Sequence, residues 1–251
     1  MSFKSITIAA TAAALVSISS AHAASVDLVS VDGIWLDPQP DTVYGISGVG
    51  TSALSWGKSA GYGQSGYTFD GAAPPVVTDV PVSTMFKLGT FTHHNNPIKA
   101  SPGYGLAASI TSATLQVTFG LEIDGIAKSV MSTFNFAHWE TPNGDATCAN
   151  GAPNGSGVNW NGCADSVTVS LVSGASETFR MGGATFMFDT IGFEFNDMIL
   201  GTFWTKEKKD NSAHLYASYS VVPSPVPLPA AGWMLIAGLG GLLAMQRRKK
   251  S

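Results

Sequence analysis

Thr114-Leu115-Gln116-Val117-Thr118-Phe119 alternates polar and apolar side chains without a break. Successive side chains leave a strand on opposite faces, so this stretch has one wet face and one dry face, as an antiparallel strand does. Just beyond it, Glu122-Ile123-Asp124-Gly125-Ile126-Ala127 sets an Asp-Gly pair between two β-rich runs. That pair suits a two-residue hairpin, because both residues tolerate positive φ. The alternation returns in Ser166-Val167-Thr168-Val169-Ser170-Leu171. Working outward, Val26 to Leu36, Ser65 to Phe69, Met85 to Thr92, Ala113 to Ile123, Ala127 to Phe136, Ser166 to Val172, Thr178 to Phe188 and His214 to Val221 are rich in Val, Ile, Thr, Phe and Tyr. Such residues fit a pleated, half-buried surface. No stretch before the C-terminal region keeps a 3.6-residue apolar period for three turns. The expectation is an all-β chain, with a single antiparallel β-sandwich of jelly-roll or Greek-key type over residues 24–222.

Both ends carry targeting patterns. Lys4, the apolar run from Ile6 to Ile18, and Ala21-His22-Ala23 have the order of a signal peptide over residues 1–23. At the other end a proline-rich stalk and box (223–230) precedes an apolar segment (231–246) and a basic stop (247–251) containing Arg247, Arg248, Lys249 and Lys250. Pro227 and Pro229 forbid a helix through the box. Sixteen helical residues reach roughly 24 Å against a hydrocarbon core of about 30 Å, a marginal transmembrane helix with its basic end on the cytoplasmic side. An entry signal with an exit anchor implies export of everything between them.

Taking away Lys4, Arg247, Arg248, Lys249 and Lys250 leaves 8 Lys and Arg against 17 Asp and Glu, a formal charge of −9 for the exported part. That acidity argues against nucleic acid and against anionic lipid as partners. Cys148 and Cys163 flank an Asn/Gly-rich loop of fourteen residues, and a disulfide between them fits an oxidising compartment. Neither cysteine lies in a nucleophile motif.

The tail Val226-Pro227-Leu228-Pro229-Ala230, followed by Gly232-Trp233-Met234-Leu235 and the basic end, resembles the VPLPA variant of the PEP-CTERM sorting signal. The resemblance implies recognition and cleavage by an exosortase-type membrane transpeptidase. It also implies an inner-membrane precursor that becomes a surface or matrix protein, in a family often linked to exopolysaccharide. A plain C-terminal membrane anchor is the alternative reading. A second resemblance rests on three stretches: Gly48-Val49-Gly50-Thr51-Ser52-Ala53-Leu54-Ser55-Trp56-Gly57; Phe86-Lys87-Leu88-Gly89-Thr90-Phe91-Thr92-His93-His94-Asn95-Asn96-Pro97-Ile98; and Glu140-Thr141-Pro142-Asn143. Together they look like the THxN family of PEP-CTERM proteins, related to choice-of-anchor surface domains, with Thr92, His93 and Asn95 on the named positions. The resemblance attaches no activity and no ligand.

Two readings of Thr92, His93 and Asn95 stand side by side. In one they form a turn: Asn95 and Asn96 bond their own backbone, Pro97 stiffens the chain after them, and His93 donates to a nearby carbonyl. In the other, His93, Glu140 and Asn143 meet in a small polar site for Ca²⁺ or a sugar hydroxyl. On a strand His93 and His94 point to opposite faces, and they converge only if the strand ends at Thr92; His138 and Glu140 share a face. The expectation is no cofactor, with Ca²⁺ the metal left open; calcium wants several oxygen ligands, and Glu140, Asp145 and Asp165 are the nearby carboxylates. Zinc wants more nitrogen than His93 with one other, and no metal-spaced His pair is present. Among Trp56, Trp139, Trp160 and Trp204, Trp160 is the best placed for exposure and for stacking on a sugar ring.

No G-x-S-x-G, P-loop, Rossmann fingerprint or H-E-x-x-H is present, and carboxylates such as Glu122, Glu140, Glu177, Asp189 and Glu194 are no more than any exported β protein has. The expectation is a non-enzymatic surface or matrix component with a structural or adhesive role associated with exopolysaccharide. The alternative is a carbohydrate-binding surface module, Ca²⁺-dependent or not.

Overall fold

The Asp124-Gly125 pair turns the chain with both residues at positive φ, 49° and 77°, and Ile123 faces Ile126 across the strands it joins. The structure is a computed structural model that describes residues 24–72, 77–99, 105–223 and 237–241. The chain is all-β, and fourteen strands run through the described residues. One sheet has the order β1 (Val26–Gln39), β7 (Ser112–Ile123), β8 (Ile126–Trp139), β9 (Asp165–Ser173), β13 (Thr202–Thr205). The other has the order β10 (Ser176–Met181), β11 (Ala184–Phe195), β14 (Lys209–Pro223), β5 (Phe86–Asn95), β4 (Ser65–Gly71), β2 (Ala53–Trp56), with β12 (Met198–Ile199) on β11. β3 (Lys58–Ser59) pairs with β6 (Ile98–Lys99), and the pairings between named strands are antiparallel throughout.

Alternation decides which side chains meet. On β7 Ala113, Leu115, Val117, Phe119, Leu121 and Ile123 are all buried, while the residues between them are partly or fully exposed. They join one apolar cluster that draws on both large sheets. Phe91 of the second sheet packs 5.9 Å from Trp35 and 4.8 Å from Phe136 of the first, and Phe136 lies 5.4 Å from Phe193, centroid to centroid. Each such pair adds roughly 0.5–1.5 kcal/mol beyond its buried area. Gly33 lets the sheets come this close, since a Cβ there would overlap the Phe69 ring.

Two strand expectations need correction. Thr178 to Phe188 is two strands, not one: Gly182 and Gly183, at φ 57° and 77°, make the hairpin turn between β10 and β11. The strand expected over Met85 to Thr92 continues to Asn95, so Thr92, His93 and Asn95 form no turn; β14 pairs with them residue for residue and carries the ladder past Thr92.

The signal peptide (1–23), the sorting box Val226, Pro227, Leu228, Pro229 and Ala230, and the basic end (247–251) lie outside the described residues. Of the 231–246 segment, residues 237–241 are described and are helical. No helix among the described residues is long and apolar enough to cross a membrane.

Candidate functional site

At one end of the core the inward-facing columns of six strands change from apolar to polar. Along β5 the buried face reads Phe91, His93, Asn95; along β8, Phe134, Phe136, His138; along β9, Val167 then Asp165. On β13 Phe203 gives way to Thr205, on β4 Phe69 to Tyr67, and on β14 Ala213 to Asn211. The two-residue period that builds the core therefore also delivers a polar layer, contributed by both sheets.

Thr205 organises that layer. Its Oγ1 donates to the Asp165 carbonyl at 3.1 Å and lies 2.9 Å from His93 Nδ1. With its single hydrogen committed to the carbonyl, the hydroxyl accepts from His93, which therefore carries its proton on Nδ1. Asn95 Nδ2 donates to the Thr205 carbonyl at 3.0 Å. Both side chains are thereby turned so that His93 Nε2 and Asn95 Oδ1 present lone pairs, and neither atom has a hydrogen-bond partner. Nearby, Tyr67 Oη and His138 Nδ1 are 2.7 Å apart, and the Thr141 N–H donates to Asp165 Oδ1 at 2.7 Å. The other Asp165 oxygen and Asn143 Oδ1 are buried and receive no hydrogen bond, and the equally buried Glu207 carboxylate has only the Asn143 amide beside it.

These acceptors converge. One ligand atom each from His93, His138 and Asp165 lie within 4.8 Å of one another, and so do one each from Glu140, Asp165 and Glu207. Asp165 belongs to both groups. His138 Nε2 stands 3.4 Å from Glu140 Oε2, too long for a strong charge-assisted bond. Glu207 comes from the turn between β13 and β14. Asn211 pins that turn by accepting from the Lys206 N–H at 2.8 Å and donating to the Lys206 and Lys209 carbonyls at 3.0 Å each. Asn161 adds a bond to the Glu207 carbonyl at 3.1 Å.

Burial dominates the electrostatics. It holds His93 well below the usual imidazole range, with His138 and His94 pushing the same way, and lowers His138 to about 4 against the pull of Asp165. It raises Glu140 to about 7, with the Ser109 hydroxyl opposing, and Glu207 to about 7, with the Asn143 amide opposing. Asp165 is pushed well above the carboxylate range by burial and by Glu140. Burying carboxylates without donors costs several kcal/mol per ion, and a cation between them removes that cost. Such a set of lone pairs is built to receive positive charge.

Of the residues singled out from the sequence, His93 and Asn95 lie inside the cluster. Thr92 is on the opposite face, 3.0 Å from Ser212 Oγ, and so is His94, 2.7 Å from Asp210. Glu140 belongs to the cluster and Asn143 flanks it beside Glu207, whereas Asp145 is exposed. His93 donates to a hydroxyl, not to the carbonyl expected of a turn. His138 is the one other nitrogen beside His93, its ring meeting that of His93 edge to face at 5.2 Å, and the further ligands present are carboxylate oxygens rather than the additional nitrogen the zinc argument asked for. Glu207 and Thr205 escaped sequence reasoning. Glu207 stands in Lys206-Glu207-Lys208-Lys209, which reads as a solvated charge run. Trp56 is buried against both histidines; Trp160 is 70% and Trp139 55% exposed. Cys148 and Cys163 form a disulfide that closes the loop between them.

The chain matches no protein-family model and no curated protein.

Proposed function

We propose that this chain is an exported surface or extracellular-matrix protein with a structural or adhesive role, whose β domain is completed by a divalent metal ion in the cluster centred on Asp165. The observation that carries this reading is that His93 Nε2 and Asp165 Oδ2 are buried without a donor, and that Asp165 is shared between a group with His93 and His138 and a group with Glu140 and Glu207, the ligand atoms of each lying within 4.8 Å of one another. Thr205 and Asn211 hold these groups in place, so the arrangement is preorganised rather than accidental. The ion is structural, not catalytic, because among the charged groups only Glu140 keeps part of its side chain, 21%, exposed. The domain is a sandwich of jelly-roll or Greek-key type on this reading, supported by the single core shared between the two large sheets. Export rests on the signal-peptide pattern and the VPLPA tail, and the disulfide agrees with it. The exosortase-type enzyme is the processing partner.

The protein purified from its producing cells is to be assayed for metal and for melting temperature before and after chelation. A bound divalent ion whose removal lowers the melting temperature is the expected result. A metal-free protein insensitive to chelator and to added ions refutes the reading.

A second reading, a carbohydrate-binding module, is favoured by one observation. Trp139 and Trp204 stand 6.3 Å apart on the two strands that flank β9, both paired to Ser166, and Trp160 is exposed. Exposed indole faces of this kind stack on sugar rings.

A further inference from the structure

Granting the cation site just proposed, we infer that its ion is a zinc-type transition ion held by the imidazole nitrogens of His93 and His138 together with Asp165, and not calcium. Three placements carry this. His93 is fully buried, and its Nδ1–H is committed to Thr205, so Nε2 is an unprotonated nitrogen with no protein donor. His138 is equally enclosed, and its Nδ1 bond to Tyr67 leaves Nε2 on the cluster side, facing Glu140. The Thr141 N–H occupies one oxygen of Asp165 and leaves the other bare.

Two nitrogens and one carboxylate oxygen on three strands, within 4.8 Å of one another, form three corners of a tetrahedron. Ligand atoms around a tetrahedral zinc ion sit roughly 3.3 Å apart, given bonds of about 2.0–2.1 Å, so small side-chain rotations close the set. Glu207 or Glu140 on the far side of Asp165 supplies the fourth corner. Calcium is a hard ion that collects six to eight oxygens, whereas imidazole suits zinc and its neighbours in the first transition row. A buried pair of neutral imidazoles gives calcium no advantage. Each imidazole has its second nitrogen held by a hydroxyl, which fixes the orientation of a ligating histidine.

The test uses the full-length protein, stripped by chelator and titrated separately with Zn²⁺, Co²⁺, Mn²⁺ and Ca²⁺. The expected result is one equivalent of Zn²⁺ or Co²⁺ per chain, a melting temperature raised by roughly 10 °C at saturating Zn²⁺, and four-coordinate Co²⁺ absorption bands. X-ray absorption at the zinc edge of the unmutated protein counts imidazoles directly, and two are expected. Calcium binding without zinc binding, or an oxygen-only zinc shell, overturns this inference and leaves the cation site standing. Binding of none of the four ions overturns both. His93→Ala should abolish the cobalt bands, with His94→Ala, on the opposite strand face, as the unaffected control; a folded His93→Ala with unchanged bands removes His93 from the ligand set.

Discussion

His93 and His138 meet edge to face, centroids 5.2 Å apart at 86°, although one belongs to β5 of the seven-stranded sheet and the other to β8 of the five-stranded sheet. Neither ring carries charge at neutral pH, since burial lowers both pKa values. Two neutral imidazoles facing each other across a sheet-to-sheet boundary, beside three carboxylates, should make that boundary sensitive to protons and, under the metal reading, to metal.

Asp165→Asn separates the two. In chelator the substitution should raise stability by about 1–3 kcal/mol, because a buried carboxylate with an unpaired oxygen becomes a neutral amide. With metal present the order should reverse, the unmutated protein melting higher. Thermal melts of both proteins in both conditions check the crossing.

The metal-free protein should lose stability between about pH 6.5 and pH 7.5. Glu140 and Glu207 titrate near 7 when folded and near 4.5 when unfolded, so their contribution is full below 4.5 and lost as pH rises through 7. His138, lowered to about 4 from 6.5, acts oppositely: its contribution is present above 6.5 and lost as pH falls. The two trends oppose each other between 4.5 and 6.5, and above 6.5 only the carboxylates remain. Denaturation of chelated protein across this interval measures the slope, and added metal should flatten it.

Thr205→Val should keep the fold but weaken metal binding by roughly 10- to 100-fold, the usual cost of losing the partner that orients a ligand. The valine removes the acceptor of His93 Nδ1–H and one of two bonds from Asn95. A competition titration against a chelating dye gives the ratio.

Replacing Cys148 and Cys163 by Ser should cost about 3 kcal/mol, the chain-entropy value for a loop near 15 residues. It should also loosen the metal site, since Cys163 stands two residues before Asp165 and its carbonyl accepts from Thr141. Denaturant titration and metal affinity, measured on one preparation, check both.

Trp139→Ala and Trp160→Ala should leave the melting temperature within about 1 °C, both side chains being exposed. Under the carbohydrate-binding reading they should also lower binding to polysaccharide from the producing cells. The intact mass of the same surface protein should end near Ala230, as the sorting reading requires; a C-terminus at Ser251 contradicts it.

Much of the strand pattern was legible because it is local. The alternation of β7 and the Asp124-Gly125 turn are written in consecutive residues, as is the divergence of His93 and His94. The Gly182-Gly183 hairpin was missed because β-rich composition runs on through it from Thr178 to Phe188. The site was half legible. His138 and Glu140 declare a shared face two residues apart, but nothing near them names His93 as their neighbour. That pairing depends on how two sheets stack, which no short window encodes. Glu207 was hidden for a different reason: its lysine neighbours face water while the Asn211 bonds turn the glutamate inward.

The candidate ligands are spread from β5 to the turn ahead of β14, and the last is set only once Asn211 ties that turn. An N-terminal fragment, however well it collapses, holds half a coordination sphere. Under the metal reading proposed above, ion capture is the closing event of folding, and selection falls to whatever the surroundings supply at that moment. The metal content of the finished protein is a record of where its folding ended, not of where its synthesis began.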